Sequence, residues 1–401
     1  MDFINETEKA TPIRKQCDVF VAGGGIAGIS AALSAARGGA KVILAEKQCA
    51  LGGLATLGLI TIYLPLCDGM GRQVIFGIGE ELLRLSILHG AEARFPKPWL
   101  EDGTLEERVA TRFQVQYNPW MFAMLAEELL LSEGVEILYD AHVTGVVQEN
   151  GRICSVLLDN KEGHWAAEVQ AVVDATGDAD LCLFAGESTE TFRENRFAAW
   201  HYLSGEQGWK LHAHAAPLYG ELPEPFRFYD GTSTDDVSAM VIDGHKSMMA
   251  RLLDLRARKG DVSLVPAAIP LVPSFRMTRR LKGLYELDES EEKTRFPDSV
   301  GLTGDWRNAG PVFEIPFRSL IGTVPNLITA GRCISVTTAM WDITRVIPTC
   351  AVTGEAAGAA ASLLVHAQAS SFQSVDVTNL QRLLHKNGVL VHKNGNLTEN
   401  S

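Results

Sequence analysis

The stretch "DVFVAGGGIAGISAALSAARGGAKVILAEK", residues 18–47, decides the fold class of this chain. It opens with an apolar run, continues with a run of small residues that favours a helix and ends at glycines, and closes with a second apolar run. Continuous apolar runs of this length are typical of buried parallel strands, which are usually connected by a helix. The stretch therefore predicts a βαβ unit in an α/β domain.

The glycines between the first strand and the helix predict a dinucleotide-binding turn. Gly23, Gly25 and Gly28 fit the GxGxxG pattern. In that pattern the first glycine permits a tight turn, the second admits a pyrophosphate, and the third lets the helix pack closely on the strand. Glu46 ends the second strand, where a carboxylate accepts hydrogen bonds from both hydroxyls of an adenosine ribose. From this stretch alone, NAD and FAD remain equally good candidates.

Later segments continue the alternation of strands and helices. Residues 119–160 predict a helix, a short strand and a hairpin that turns at 149–151, and residues 165–181 predict a strand that enters a glycine turn. Residues 324–365 predict a strand, a loop, and an Ala- and Gly-rich helix with Pro348 in its first turn. The positive end of that helix would stabilise an anionic ring edge near residues 348–350.

The composition indicates a globular protein of two or three domains, because 401 residues that are 46% hydrophobic can bury a large core. A net charge of −13 gives nucleic acid or an anionic membrane little attraction, and no run of about 18 apolar residues occurs. We expect neither as a partner, and no secretory signal in the first sixteen residues. The cysteines lack a CxxC pair and favour a reducing, cytoplasmic location: Cys17, Cys49, Cys67, Cys154, Cys182, Cys333 and Cys350.

Several stretches resemble the FAD-dependent oxidoreductases that share a cofactor domain with fumarate reductase and glutathione reductase. They follow the order of that family over nearly the whole chain: "GGGIAG" at 23–28, "GGLATLGL" at 52–59, "VVDATGDAD" at 172–180, "FRMTRRLKG" at 275–283, "FPDSVGL" at 296–302, "IPFRSL" at 315–320, "NLITAGRCIS" at 326–335 and "RVIPTCAVTGEAAG" at 345–358. The resemblance favours FAD over NAD.

The resemblance implies an α/β fold with two parts. The first is a Rossmann-like, discontinuous FAD-binding domain of the glutathione-reductase and fumarate-reductase type, built from residues 15–70, 110–190 and 310–366. The second is an α+β substrate or lid domain built from residues 71–109 and 191–309. Residues 367–401 would add a C-terminal helix and a polar tail.

The resemblance also implies which residues hold the cofactor. The glycine turn and Gly331 with Arg332 would contact the pyrophosphate, Glu46 the adenosine ribose, and Val143 the adenine through its backbone. The loop at 52–56 and the helix start at 348–350 would lie beside the flavin. The complete predicted set is Gly23, Gly25, Ile26, Ala27, Gly28, Glu46, Lys47, Gly52, Gly53, Leu54, Ala55, Thr56, Val143, Thr176, Gly177, Asp180, Gly331, Arg332, Pro348, Thr349 and Cys350.

Differences between this sequence and related families exclude some of the possible mechanisms. The chain has neither a second GxGxxG unit nor a CxxxxC disulfide beside the first, so a glutathione-reductase mechanism is set aside. The "GGLAT" loop has no histidine, so we expect non-covalent FAD. We expect no metal, because His201, His212 and His214 lack further ligands at supporting spacing.

The predicted catalytic residues are Arg345, Asp342 and Arg279. In the family, an arginine at the position of Arg345 lies near the ring or the substrate. Asp342 and Trp341 stand in a loop where many relatives carry a histidine, which leaves the acid or base open. Arg276, Arg279 and Arg280 lie in one predicted strand, and one of them is a candidate for binding a carboxylate. The stretch 304–311 is a candidate for substrate specificity.

These features predict an enzyme that dehydrogenates, or in reverse reduces, a small organic substrate by hydride transfer to or from FAD. We expect a small-molecule substrate, for which a carboxylate is one candidate, and an unidentified electron acceptor; a homo-oligomer remains open. Two alternatives remain. One is an oxidase or monooxygenase that uses oxygen, and the other is a catalytically inactive FAD-binding assembly protein.

Overall fold

A computed structural model describes residues 10–90, 95–206, 208–215 and 226–393. Residues 1–9, the polar tail from residue 394 onward, and the segments 91–94, 207 and 216–225 of the predicted lid lie outside the described residues.

The described strands are β1 (Ile13–Ala22), β2 (Val42–Ala45), β3 (Ile62–Tyr63), β4 (Val115–Gln116), β5 (Glu136–Leu138), β6 (His142–Glu149), β7 (Arg152–Asn160), β8 (Gly163–Asp174), β9 (Thr189–Thr191), β10 (Ala198–Gly205), β11 (Gly208–Ala215), β12 (Val265–Ala268), β13 (Arg279–Leu281), β14 (Ser299–Gly304), β15 (Val312–Pro316) and β16 (Leu327–Thr329). The described α-helices are α1 (Ile26–Arg37), α2 (Gly77–Ser86), α3 (Lys97–Leu100), α4 (Leu105–Ala110), α5 (Pro119–Ser132), α6 (Asp180–Phe184), α7 (Thr234–Lys259), α8 (Thr338–Thr344), α9 (Ile347–His366) and α10 (Val377–Lys386).

The main sheet of the described part of the chain has seven strands in the order β5-β2-β1-β8-β7-β6, with β16 also paired to β8. β1 runs parallel to β2 and β8, and β16 runs parallel to β8. The unit β1–α1–β2 confirms the predicted βαβ arrangement. The hairpin β6–β7 is confirmed as well, because Asn150 and Gly151 both have positive φ (51° and 77°), as its tight turn requires.

The register of the parallel strands brings their carboxyl ends to one edge of the sheet. Ala22 pairs with Ala45 on one side and with Asp174 on the other. Thr329 also pairs with Asp174, and Leu138 pairs with Ala45. Ligands of open α/β sheets bind outside this edge, so the edge is where the predicted cofactor residues are expected to meet.

The strand β1 is buried on both faces. Val19 and Val21 join the core beneath α1 and α9, whereas Phe20 and Ala22 join a second core formed with β7, β8 and α6. Successive side chains of a strand point to opposite faces. The continuous apolar run that predicted a buried strand is therefore explained by cores on both sides.

Helices α1 and α9 lie side by side and run in the same direction. A Cβ atom on Gly354 would lie 2.2 Å from the carbonyl oxygen of Ala27, and one on Gly358 would lie 2.1 Å from that of Ala31. Both contacts advance by four residues, which shows that the helices are parallel. Since no side chain fits at these distances, the Ala- and Gly-rich composition of α9 follows from this packing.

The predicted lid contains its own small sheet, in the order β11-β10-β12, and the long helix α7. Leu203 of β10 packs with Leu252 and Leu255 of α7 in a small separate core. Two elements that the predicted boundaries place in the lid instead pack on α9. These are α2, whose Ile78 N–H donates to the Glu355 carboxylate at 2.8 Å, and β14.

Helix α8 occupies residues that were expected to form a loop. Thr337 precedes it and accepts a hydrogen bond from the Met340 N–H at 3.4 Å, so this threonine caps the helix. Among the described residues, we find no single helix that is both long and apolar enough to span a membrane. The pair α8 and α9 reaches that length and composition together, with a 91° bend between them.

Candidate functional site

In the glycine turn after β1, two glycines are required by packing and a third leaves open space. A Cβ atom on Gly28 would lie 1.8 Å from the Gly23 carbonyl oxygen, and one on Gly23 would lie 2.6 Å from that of Ala175. Both glycines are thus required by packing. At Gly25, by contrast, no atom of the described residues lies within 4 Å of the added Cβ position. The space above Gly25 is therefore open, directly before the first turn of α1.

Glu46 lies beside this turn with its carboxylate buried. One carboxylate oxygen accepts the Gly24 N–H at 2.7 Å, and the other accepts the Gln48 N–H at 2.8 Å. The backbone carbonyl of Glu46 accepts the Ala141 N–H at 3.1 Å. This bond brings the segment that leads into Val143 and β6 to the same edge, while Lys47 is exposed next to it.

The loop at 52–56 covers the other side of the glycine turn. Gly52 donates its N–H to the Gly24 carbonyl at 2.8 Å, and a Cβ atom on Gly53 would lie 3.3 Å from the Gly25 Cα. Leu54 and Ala55 continue the loop as a short 3₁₀ turn. Thr56 is fully buried, and its hydroxyl donates to the Leu51 carbonyl. The backbone of this loop, rather than the Thr56 hydroxyl, is what it can offer to a ligand.

Gly331 contacts both parallel helices, α1 and α9, at the edge of the sheet. Gly331 follows β16 with φ of 69°, and its N–H donates to the Thr353 hydroxyl of α9 at 2.9 Å. A Cβ atom there would lie 2.8 Å from the Ala27 Cβ of α1. Gly331 is therefore the position at which the start of α1 and the body of α9 meet.

The starts of α1 and α9 are staggered along their shared direction. Ala27, in the first turn of α1, lies beside Gly354, whereas α9 already begins at Ile347. At 1.5 Å per residue, the start of α9 extends roughly 9 Å beyond the start of α1. Neither start has a side-chain cap. Two positive helix ends thus face the same way at different distances from the sheet.

The start of α9 is dry and closely packed. Thr349 is fully buried and its hydroxyl bonds the Thr303 hydroxyl at 2.7 Å. Pro348 is in the first turn, as predicted. The Cys350 N–H already donates to the Val346 carbonyl at 2.9 Å, which leaves the Thr349 N–H as the donor of the predicted pair. Burial raises the pKa of the Cys350 thiol to about 12, so it is not a nucleophile at neutral pH.

The turn after β8 carries the remaining predicted cofactor residues. Thr176 donates its hydroxyl to the buried Asp174 at 2.7 Å, and a Cβ atom on Gly177 would lie 2.6 Å from the Arg332 guanidinium. Arg332 also pairs with Asp178 at 3.3 Å. Burial, and secondarily the charges of Asp178 and Asp174, raises the pKa of Asp180 to about 6.

Arg279 lies at this same turn and not with the other predicted catalytic residues. It donates to the Asp180 carboxylate at 2.6 Å and to the Asp178 carbonyl at 3.0 Å. The expected strand over "FRMTRR" begins only at Arg279, which pairs with Thr191 of β9. The structure therefore gives Arg279 an ion pair at the turn after β8, apart from Arg345 and Asp342, and its catalytic role stays a prediction.

Arg345 and Asp342 do lie together, directly before α9. The Arg345 Nε donates to the Asp342 carboxylate at 2.9 Å, and its guanidinium stacks over Trp306 at 6.0 Å from the ring centre. Arg307 reaches the other Asp342 oxygen at 3.5 Å and binds Asp305 with distances of 2.9 and 3.1 Å. The segment 304–308 and the α8–α9 junction thus form one charged cluster.

Two further residues, Arg276 and Glu355, were given no individual role from the sequence. Arg276 is one of three candidates for binding a carboxylate; burial, and secondarily the charge of Arg345, lowers its pKa to about 10. Glu355, a single carboxylate in the Ala- and Gly-rich helix, is 2% exposed, and burial raises its pKa to about 8. An isolated acid in such a helix was a sequence signal that could have pointed to it.

The described residues fit an extended dinucleotide. Open space lies over Gly25, a buried carboxylate stands beside it, and a second helix start projects further along the same edge. A ligand with an anionic group at one point and a second anionic centre further on would meet both helix ends.

Comparison with known proteins gives the family. The family described as "FAD dependent oxidoreductase" matches residues 18–201 and 229–384. A probable electron transfer flavoprotein-quinone oxidoreductase of Escherichia coli strain K12, YgcN, is 28% identical over 153 residues, which are 35% of this chain and 32% of that protein. The aligned part therefore spans about a third of that relative.

Two solved structures are among those similar to this chain. A geranylgeranyl bacteriochlorophyll reductase-like protein of Thermoplasma acidophilum is 14% identical, with a TM-score of 0.47. The alignment covers 93% of this chain and 84% of that protein's chain. The p-nitrophenol 4-monooxygenase PnpA of Pseudomonas putida is 10% identical, with 92% and 83% coverage and a TM-score of 0.44. The assignment rests on the family match over most of the chain. This chain belongs to the FAD dependent oxidoreductase family and is a flavoenzyme with FAD as its cofactor.

Proposed function

We propose that this enzyme dehydrogenates, or in reverse reduces, a small organic substrate by hydride transfer to or from FAD. The observation that carries the proposal is the placement of Arg345 and Asp342 directly before α9, whose uncapped start projects beyond the glycine turn. A substrate bound by Arg345 would therefore lie next to the part of the cofactor that the start of α9 faces.

We propose the following contacts for the cofactor. The pyrophosphate lies over Gly25 and the first turn of α1, with Gly331 and Arg332 behind it. Glu46 and the backbone near Val143 hold the adenosine, together with the turn at 176–180. The loop at 52–56 and the Thr349 N–H lie against the flavin. These contacts join the three chain segments of the proposed discontinuous FAD-binding domain, to which we now add α2 and β14 because both pack on α9.

FAD, when bound, accepts or returns a pair of electrons as a hydride. In the oxidative direction, a substrate carbon would give up its hydrogen as a hydride, and a neighbouring O–H or N–H group would release its proton to the solvent. The start of α9 stabilises negative charge at its N–H groups. Arg345 orients the substrate, and Asp342 holds the Arg345 guanidinium in place. A separate electron acceptor would take the electron pair from the cofactor; oxygen, a quinone and a carrier protein are the candidates.

A spectrum of the purified protein tests this proposal first. We expect flavin bands in the visible range, either as isolated or after reconstitution with FAD. A protein that shows no flavin bands after reconstitution contradicts the proposal. Anaerobic mixing with a panel of hydroxy acids, amino acids, alcohols and amines should then bleach the bands with the true substrate class.

A pair of matched variants locates the chemistry. We expect Arg345→Gln to retain FAD and to lose at least about tenfold in the rate of bleaching, because Arg345 orients the substrate. Arg318→Gln removes a guanidinium that pairs with Asp298 away from the proposed site, and its rate should be unchanged. Equal rates in both variants would contradict the role of Arg345.

The same assay separates the two alternatives. Stoichiometric hydrogen peroxide or an oxygenated product in air indicates an oxidase or monooxygenase. FAD binding without turnover of any compound in the panel indicates an inactive binding protein. We further propose a cytoplasmic location, in keeping with the free thiols of all seven cysteines, and a homo-oligomer remains a proposal for sedimentation to test.

A further inference from the structure

Helix α7 forms the outer layer of the predicted lid. It lies on the sheet β11-β10-β12, where Leu203 of β10 packs with Leu252 and Leu255 of α7. The neighbouring Tyr202 of β10 bonds the Thr61 hydroxyl, just before β3, at 2.7 Å. Because successive side chains of a strand point to opposite faces, this contact and α7 lie on opposite sides of the sheet.

A second apolar stripe runs along the outside of α7. Ile242, Met249 and Leu253 are 51%, 53% and 54% exposed. Their spacing of seven and four residues puts them on one face of the helix. The buried residues of α7 lie on a different face: Met240, Gly244, Met248, Leu252 and Leu255. Single exposed apolar residues need no explanation, whereas a contiguous exposed set on one face marks an interaction surface.

The charges of α7 are separated along its length. Residues 234–243 carry three aspartates and no lysine or arginine, and residues 251–259 carry four basic residues and one aspartate. Arg227 pairs with Asp236, and Asp261 follows the basic end, so each end loses one charge and the two ends keep opposite signs. This pattern suits the dipole of α7 itself. It also suits a second α7 that runs in the opposite direction, because each acidic end then meets a basic one.

We propose that this chain forms a symmetric dimer in which the outer stripe of α7 packs against the same stripe of a second copy, with the two helices antiparallel. The middle of the stripe falls between residues 247 and 248. A two-fold axis there places Ile242 opposite the second copy's Leu253, and Lys246 opposite the second copy's Met249. Every contact then occurs twice, and the interface closes on itself.

The same register pairs the charged ends. Asp235 lies seven residues before Ile242 on the face of the stripe, and the register brings it beside the last turn of the second α7. That turn carries Arg256 and Lys259. At the centre, Lys246 already pairs with Asp243 at 3.5 Å, so its aliphatic stem can cover the opposite Met249 while its charge stays neutralised.

The size of this contact predicts a weak dimer. At 26 residues, α7 is about 39 Å long and about 10 Å wide, so its outer face would bury on the order of 400 Å² per copy. Stable specific interfaces bury about 800 Å² per partner, and smaller ones are transient. We therefore expect a dissociation constant between about 1 and 100 μM. The dimer does not depend on the reaction, so failure of the proposed function leaves it unaffected.

Sedimentation equilibrium of the full chain as purified tests this proposal. We expect Met249→Lys to weaken the dimer at least about tenfold, because it places an ammonium group opposite Lys246 twice in the interface. Met124→Lys is the matched control, since Met124 is 56% exposed on α5, and its dissociation constant should equal that of the wild type. A wild-type protein that stays monomeric up to about 300 μM overturns the proposal. A dimer that Met249→Lys does not weaken overturns it as well.

An exchange of charges tests the antiparallel direction. We expect Asp235→Lys and Lys259→Glu each to weaken the dimer about 3- to 10-fold, because each removes an attraction at both ends of the interface. The variant with both substitutions should dimerise within about threefold of the wild type, since opposite charges face each other again. Additive weakening in that variant overturns the antiparallel pairing.

A membrane surface is the other occupant that an exposed apolar stripe could have. Flotation with phosphatidylcholine vesicles tests it with the same variants. A monomeric protein that floats with the vesicles, and that Met249→Lys but not Met124→Lys releases from them, overturns the dimer and assigns the stripe to a membrane. We expect no flotation of any of these proteins.

Discussion

Gly25 begins α1 with φ of −68° and ψ of 179°, a conformation that other residues adopt readily. It therefore needs no positive φ, and an added Cβ at this position meets no other part of the described chain within 4 Å. Its neighbours in the motif differ, because Gly23 and Gly28 have carbonyl oxygens of the chain within 2.6 Å and 1.8 Å of an added Cβ. We propose that a bound pyrophosphate is the reason for a glycine at Gly25.

We expect Gly25→Ala to fold like the wild type and to bind FAD at least about tenfold more weakly, because its methyl group occupies the space of the pyrophosphate. The free energy of unfolding without FAD should change by less than about 0.5 kcal/mol. Urea denaturation and titration of flavin fluorescence measure the two quantities.

Gly28→Ala is the matched control. It places its methyl group against the Gly23 carbonyl, so it should lose about 2 kcal/mol or more of unfolding free energy even without FAD. Wild-type FAD affinity in Gly25→Ala would show that the pyrophosphate does not lie over this residue.

Some single residues could be assigned from the sequence, and others could not. The glycine turn and Glu46 could be placed because their spacing is tied to one local unit. The choice among Arg276, Arg279 and Arg280 could not, because it depends on Asp180 and Asp342, which are distant in the chain. A strand over the whole stretch would have placed Arg276 and Arg280 on one face and Arg279 on the other. The strand begins only at Arg279, so this alternation does not apply.

At the scale of elements, the packing of α1 on α9 sets the stagger of the two helix starts. Gly358 contacts α1 with 2.1 Å between its added Cβ and the Ala31 carbonyl. We expect Gly358→Ala to lower the free energy of unfolding by about 2 kcal/mol or more, because the helices must separate. Thermal and urea unfolding measure this change.

Gly244 in α7 provides the comparison, since it is also a helix-interior glycine. Its added Cβ would lie 3.7 Å from the nearest atoms, which is ordinary contact. Gly244→Ala should therefore raise the unfolding free energy by about 0.5–1 kcal/mol through helix propensity. A similar effect of the two substitutions, in either direction, would contradict the packing described for α9.

Glu355 joins α9 to the start of α2 and makes this junction sensitive to pH. Burial is the main cause that raises its pKa from 4.5 to about 8; Glu81 raises it further, and the Ile78 N–H and Arg37 lower it. Between pH 4.5 and pH 8, Glu355 is protonated in the folded protein and ionised in the unfolded chain. The stabilising contribution is thus complete below pH 4.5 and is lost as the pH rises to 8.

We expect Glu355→Gln to remove this part of the pH dependence, because glutamine keeps an acceptor for the Ile78 N–H and does not ionise. Its advantage over the wild type should grow between pH 5 and pH 8 to on the order of 3 kcal/mol. Urea unfolding at several pH values measures it. Parallel curves for the two proteins would mean that Glu355 is ionised throughout in the folded state.

The elements show why only part of the site followed from the sequence. Strands β1, β2, β8 and β16 and helices α1 and α9 have strong apolar patterns, so they could be predicted. Helix α8 has only 7 residues, too few for a clear period, and Trp341 and Asp342 therefore stood in an expected loop. Its start depends on the Thr337 cap, which is a weak signal in isolation.

At the scale of the whole molecule, two elements that the predicted boundaries place in the lid pack on α9. These elements are α2 and β14, and in the structure their apolar faces pack against this helix. The sequence shows which residues are apolar but not which core they join. That choice is made by contacts such as Ile78 with Glu355, which join residues 277 positions apart.

Hydrogen exchange tests whether one cofactor joins these segments. We expect FAD to slow amide exchange together at 24–29, 52–56, 331–333 and 347–350, because an extended dinucleotide contacts both staggered helix starts. A ligand at 100 times its dissociation constant adds about 2.7 kcal/mol to the opening free energy of the segments that must be closed to bind it. Helix α7, which packs in its own small core around Leu252, is the internal control and should exchange at the same rate. Protection confined to 24–29 would mean that the ligand contacts the first helix start alone, and the placement of the redox ring at α9 would be wrong.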